Sequence, residues 1–156
     1  MPTTTRNRTA ERTLTDDDYR RLADLRHGQR RFLEWSAEQA HAAGLTPTQH
    51  QLLLGVRAFA GREGPTIGDV AEFMLIRHHS AVELVDRAER AGLVSRRRDP
   101  ERHAVVRLAL TDHGEDTLAS LWEVHFRELA ELAPTMSALW AAVGEVARSG
   151  RAAQRA

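Results

Sequence analysis

The sequence predicts a mainly α fold carrying one small β-hairpin, and three observations support that expectation. Apolar residues recur at helical spacing along most of the chain, in stretches punctuated by Thr, Pro and Gly. Two short runs, Leu93–Arg97 and Ala104–Leu110, are instead β-prone, and they flank Arg98–His103, where Asp99-Pro100 marks a turn. Directly before that hairpin, a short helical pattern, a tight turn and a longer helical pattern follow one another without a break.

Taken in order, residues 1–14 carry no periodicity and read as a loose arm. Thr15 is placed to cap a helix whose first turn holds Asp16, Asp17 and Asp18, where the helix dipole favours negative charge. Tyr19, Leu22, Leu25, Phe32, Leu33, Ser36 and Ala40 then share one broad face up to Ala43, and Gly44 ends the helix. Thr46-Pro47-Thr48-Gln49 is a capping box with Pro at the first helical position. The helix it opens, about Pro47–Ala60, is apolar nearly all round and is expected at the centre; Gly61–Pro65 closes it.

Thr66 caps the next helix, with Asp69 three positions on and Ile67, Val70, Ala71 and Met74 at i, i+3, i+4 and i+7. After a turn at about Leu75–Arg77, a second helix runs to Ala91 and buries Ala81, Leu84, Val85 and Ala88, with Gly92 as its stop. Past the hairpin, Thr111 caps a helix to about Leu132 with a face of Leu118, Leu121, Trp122, His125, Leu129 and Leu132. Pro134 is expected to break it, leaving Met136, Leu139, Trp140, Val143 and Ala147 on a final helix before a frayed tail, 149–156. The expected order is α1-α2-α3-α4-β-β-α5-α6: a winged helix-turn-helix at about 46–111, flanked by long helices at about 15–43 and 112–148, in a single domain over 15–148.

Composition narrows the function. The chain has 156 residues, one domain by length, and no cysteine, which excludes disulfides, thiolate metal sites and thiol redox switches. No apolar run approaches a membrane span, and Met1–Thr13 lacks the apolar stretch of a secretory signal, so a cytoplasmic location with no membrane partner is expected. The eight histidines offer no chelating pair: His78 and His79 diverge by about 100° on a helix. There is no Gly-rich phosphate loop, no nucleophile elbow and no His-Glu-x-x-His, so no metal, cofactor or catalytic site is expected and the chain is not read as an enzyme.

Formal net charge is zero, but its distribution is oriented. Between Val94 and Arg107, Arg96, Arg97, Arg98, Arg102 and Arg107 stand against Asp99 and Glu101, a local +3; Asp112 to Ala133 carries six carboxylates against Arg127 alone, a local −5. In a helix-turn-helix the second helix presents its outer face to base edges. Here that face holds Arg77, His78, His79, Val82, Glu83, Asp86, Arg87 and Arg90, with Ser80 beside them. A solvated helix face would be mixed in charge in the same way. The basic hairpin that follows favours phosphate and groove contacts instead.

The run Leu45–Gly114 resembles the MarR family of winged-helix transcriptional regulators. LTPTQHQLLL matches the entry into the family's second helix, and TIGDVAEFMLIRHHSAVELVDRAERAGLVSRRRDPERHAVVRLALTDHG matches the helix-turn-helix, wing and following helix start without a gap. VDRAERAGLV and LALTDHG are its most specific pieces. Two positions depart from the pattern. The turn before the recognition helix usually carries Gly and then Ser, where this chain has Leu75 and Arg77; the wing tip reads DPERHA, with Ala104 at the family's usual minor-groove arginine, which makes Arg102 the candidate for that role.

The resemblance implies a homodimeric regulator of double-stranded DNA, most often a repressor, released by a small aromatic or phenolic effector. Unpartnered apolar faces on the flanking helices agree with a two-fold axis, which would set two recognition helices about 34 Å apart over a pseudo-palindromic operator. Arg77, His78, His79, Ser80 and Glu83 are expected in the major groove, Arg96, Arg98, Arg102 and His103 on the wing, and Thr66 at a phosphate. Trp35, Gln49 and His50 are the candidate effector residues. The alternatives are a winged helix that docks a protein partner through its basic wing, and a DNA-binding protein without a ligand.

Overall fold

The structure, a computed structural model, describes residues 15–59 and 63–153. The arm expected over residues 1–14 lies outside these, as do Ala60, Gly61 and Arg62 beyond the second helix and the last three residues of the tail. The elements run α1 (Asp16–Ala42), α2 (Pro47–Ala58), α3 (Ile67–Phe73), α4 (His78–Arg90), β1 (Val94–Arg98), β2 (Val106–Leu110) and α5 (Asp112–Ala153). The fold is mainly helical with a two-stranded antiparallel wing, as expected.

Local chemistry sets these boundaries. The Thr15 hydroxyl accepts the Asp18 N–H at 3.2 Å while the Asp18 carboxylate accepts the Thr15 N–H at 3.0 Å. The same reciprocal box joins Thr46 to Gln49 and Thr66 to Asp69, in each case satisfying two backbone donors that a helix start leaves open. Gly92 ends α4 at φ 71°, its N–H donating to Glu89 O at 2.9 Å and the Leu93 N–H to Ala88 O at 3.0 Å. Thr111 starts α5: its hydroxyl donates to Gly92 O at 2.5 Å and accepts the Gly114 N–H at 3.0 Å.

The chain forms two compact units, residues 34–126 and, separately, residues 15–33 with 127–153. In the first, α2 contributes Leu52, Leu53 and Val56 to a core completed by Ala40, Leu45, Val70, Leu84, Val85, Ala88, Leu93, Val94, Leu108, Leu118 and Leu121. α2 touches α3, α4 and β2, the central place that its all-round apolar sequence predicts. α4 buries the four residues that its spacing assigns, Ala81, Leu84, Val85 and Ala88. β1 and β2 pair with Val94 opposite Leu110, Arg96 opposite Leu108 and Arg98 opposite Val106. The Leu108 N–H donates outside this ladder to Pro65 O at 2.8 Å, tying β2 to the segment that leads into α3.

In the second unit, α1 and α5 flank an apolar groove of about 1080 Å³, walled by Phe32, Leu33, Leu129, Leu132, Met136 and Trp140. Its rim is open, with Leu33 60% and Trp140 55% exposed. Pro134 does not end the helix here: α5 is continuous from Asp112 to Ala153, so the separate sixth helix merges with the fifth and the tail stays helical through residue 153. Proline removes one backbone bond and crowds the preceding turn, at about 3 kcal/mol. The apolar stripe crosses it in register, with Leu129 and Leu132 before and Met136 and Trp140 after lining one groove, and that shared face offsets the local cost. No helix among the described residues is long and apolar enough to cross a membrane.

The junction of wing and α5 leaves no room at Gly114, where an added Cβ would sit 2.1 Å from the Leu93 carbonyl oxygen. Gly114→Ala is expected to destabilise the fold by about 2–3 kcal/mol through backbone displacement, read as a lowered urea midpoint at unchanged m-value.

Candidate nucleic-acid interface

α4 presents a polar outer face. His78, His79, Glu83, Arg87 and Arg90 are exposed, and Ser80, Val82 and Asp86 are half-buried along its edges. Glu83 and Arg87 form only a 4.0 Å exposed pair, too loose to remove either from solution. The residue before the helix, Arg77, is extended and supplies no side-chain cap, so the first-turn N–H groups of α4 have no side-chain acceptor there. The turn before it carries Leu75 at φ 54°, 91% exposed: a leucine holds the left-handed conformation at the position where the resemblance places glycine.

The wing divides its five arginines into two kinds. Arg97, Arg98 and Arg102 are exposed and make no ion pair with the described residues, and His103 is exposed beside them. Arg96 and Arg107 turn inward. Arg96 NH2 donates to Asp86 Oδ1 at 2.6 Å and its other amino group to Glu89, so this guanidinium faces α4 and not the open surface expected for it. Burial opposes its charge, but the hydrogen bonds to Asp86 and Glu89 outweigh that and raise its pKa.

Arg107 reaches Asp99 Oδ2 through Nε at 2.9 Å and NH2 at 2.8 Å, Gly64 O through NH1 at 3.0 Å, and Glu63 at 3.3 Å. Asp99 is buried, and its other oxygen accepts the N–H groups of Glu101 at 3.0 Å and Arg102 at 2.9 Å. The Arg102 backbone hydrogen bond, with Arg107 and Glu101, overcomes burial and lowers the Asp99 pKa to about 2. Arg107 has no counterpart among the candidate residues. The Asp-Pro turn hints at a buried carboxylate, but nothing local identifies which arginine completes it.

Thr66 and Gln49 are held by their caps. The Thr66 hydroxyl donates to Asp69 Oδ2 at 2.8 Å, leaving no proton for a phosphate; its backbone N–H is held by the same oxygen at 2.8 Å. These hydrogen bonds, the backbone one first, lower the Asp69 pKa. The Gln49 side-chain oxygen accepts the Thr46 N–H at 2.9 Å.

Trp35 and His50 do come together, around a third ring, His125, that no local spacing connects to them. His125 lies 4.9 Å from Trp35 and 4.8 Å from His50 between ring centres. Its Nδ1 meets the Leu121 carbonyl at 2.8 Å, which can only accept, so Nδ1 carries the proton. In the neutral ring Nε2 is then the acceptor of the Ser36 hydroxyl at 2.7 Å. Ser36, His50 and His125 are all buried. Among the described residues no group of three or more His, Asp or Glu is placed to hold a metal ion.

The MarR family model matches residues 43–103, from the approach to α2 through the wing turn. The fold is similar to that of a MarR family protein from Bacillus stearothermophilus, with a TM-score of 0.69 and 23% identity over 88% of this chain and 98% of that one. It is also similar to the transcriptional repressor CouR bound to a 23-mer DNA duplex (TM-score 0.62, 28% identity, 80% and 89% covered). CouR from Rhodococcus jostii RHA1 bound to p-coumaroyl-CoA gives a TM-score of 0.61 at 22% identity, over 69% and 73%. No curated protein matches the chain.

The ring cluster carries a pH dependence of stability. Burial, and then the neighbouring His125, lower the His50 pKa from 6.5 to about 4. Between those values the unfolded chain takes up a proton that the folded protein refuses. Stability therefore falls with falling pH, by up to about 1.4 kcal/mol for each pH unit. Chemical denaturation of the protein and of His50→Gln between pH 7 and 4 checks this: the variant loses the His50 contribution to the slope.

Proposed function

We propose that this chain, whose central segment is of MarR-family type, is a cytoplasmic, sequence-specific transcriptional regulator and not an enzyme. It binds a pseudo-palindromic operator as a homodimer and acts as a repressor. One observation carries the reading: the polar outer face of α4 stands exposed in the same unit as three arginines, Arg97, Arg98 and Arg102, that make no ion pair with the described residues. Their partner is a polyanion, and a duplex offers both phosphates for the wing and base edges for the helix. The DNA-bound state of CouR, of similar fold, supports the assignment.

Arg77, His78, His79, Ser80 and Glu83 read the major groove, and Arg98, Arg102 and His103 hold the strands from the wing. Thr66 contributes by capping α3, the brace behind α4, since its hydroxyl is already engaged. The open groove of residues 15–33 and 127–153 supports a dimer, because Leu33 and Trp140 on its walls are more than half exposed and Tyr19 and Leu22 on α1 are exposed as well, apolar surface that a second copy would cover.

A small aromatic effector is the finest part of the reading. Its proposed region is the cluster of Trp35 and His50 around His125, at the start of α2 where Gln49 completes the cap. A planar molecule inserted among these rings would displace α2, and α2 packs on α3, α4 and β2. CouR, of similar fold, binds p-coumaroyl-CoA, a ligand that carries a phenolic ring.

Titration against duplex from the region upstream of its own gene, at two salt concentrations, tests the function, with saturation expected at two protomers per site. Arg98→Ala weakens binding to every sequence alike and flattens the salt dependence by about one unit, since each phosphate contact releases counterions. His79→Ala instead loses ~1–3 kcal/mol on the cognate site and nothing on random duplex. Equal losses for both variants on random DNA would refute this division of roles.

A further inference from the structure

Arg96, unlike Arg97, Arg98 and Arg102, is engaged by carboxylates, and unlike Arg107 it reaches the helix before the wing. It lies opposite Leu108 in the ladder, and directly paired residues of two strands point to the same face. Leu108 is fully buried, so Arg96 emerges on the inward face of the hairpin. Its fork closes on two carboxylates of α4: NH2 on Asp86 Oδ1 at 2.6 Å and NH1 on Glu89 Oε2. The Arg96 backbone N–H also reaches Glu89 Oε1 at 3.3 Å, so main chain and side chain are both joined to one helix. The Arg96 side chain is 28% exposed against 46% for Asp86 and 40% for Glu89, and the strength of the pairing comes from the two-pronged fork, which one arginine closes on two carboxylates.

Asp86 and Glu89 occupy successive turns of α4, toward its C-terminal end. Left uncovered on a helix that approaches phosphates, they would repel the duplex. A two-stranded wing has little surface of its own to fix its angle to that helix. We propose that Arg96 is a positioning residue and not a DNA contact: it fastens β1 to α4 through Asp86 and Glu89, sets where Arg97 and Arg98 reach, and masks two carboxylates. This rests on the DNA-binding reading above.

Two measurements on the full chain test it. In DNA-free protein, Arg96→Gln and the pair D86N/E89Q each speed amide hydrogen exchange along β1, whereas loss of a mere DNA contact leaves that exchange unchanged. On the upstream duplex, Arg96→Gln weakens binding about tenfold in the natural chain, within the range for residues sharing one ion-pair network, and by less than about twofold once Asp86 and Glu89 are neutral. Should Arg96→Gln fail to fold, R96K takes its place; it keeps the charge but not the two-pronged fork. Equal losses in both backgrounds with unaltered β1 exchange overturn the positioning role and leave DNA binding standing. Absence of any duplex binding by the natural protein, with β1 exchange still raised in the variants, overturns the DNA reading and with it the proposed purpose of the brace.

Discussion

A hairpin of two five-residue strands cannot hold its own shape in water, so the wing depends on Arg107. Four contacts converge on that one guanidinium: two to the buried Asp99 carboxylate, one to the Gly64 carbonyl and one to Glu63. The first two close the wing's turn onto its second strand. The other two fasten the strand to the segment before α3. Burying a carboxylate is expensive unless every lone pair finds a donor, and Asp99 has the N–H groups of Glu101 and Arg102 as well as the arginine. The pair is therefore a fixed joint: without Arg107 the buried Asp99 carboxylate keeps only the two N–H donors on Oδ1, and its other oxygen, Oδ2, is left without a donor.

The division among the wing arginines follows from this joint. Five guanidinium groups in a short stretch look alike in sequence, and a local charge sum treats them as one patch. In the fold, Arg107 faces Asp99 in the turn and Glu63 before α3, and Arg96 faces two carboxylates of α4, while Arg97, Arg98 and Arg102 are left outward. A hairpin that used all five to attract a polyanion would have nothing to hold it at a defined angle. Two braces and three exposed groups satisfy both demands.

What could be read from the chain, and what could not, separates by range. Caps are local: Thr46 with Gln49, Thr66 with Asp69 and Gly92 after α4 each involve neighbours within a turn, and each sits where the spelling puts it. The buried stripe of α4 is also local, because helical period alone assigns Ala81, Leu84, Val85 and Ala88. Contacts between distant positions left no such mark. Nothing near His50 announces His125, and nothing near Arg96 announces that Asp86 and Glu89 turn toward it. Pro134 misled for the opposite reason: its local penalty is real, but the apolar stripe running past it on both sides favours an unbroken helix.

Leu75 carries a consequence for the mechanics of the bihelical corner. Its backbone sits at φ 54°, pinned by its own N–H on Glu72 O at 3.1 Å and by the Ile76 N–H on Ala71 O at 3.0 Å. A residue without a Cβ would visit this conformation freely and leave it as freely; a branched side chain has few other basins nearby and tolerates this one only while both bonds hold. The angle between α3 and α4 is thus drawn from a narrower distribution than a glycine hinge would allow. Stiffness at that corner keeps the polar outer face of α4 at one set inclination to the helix behind it.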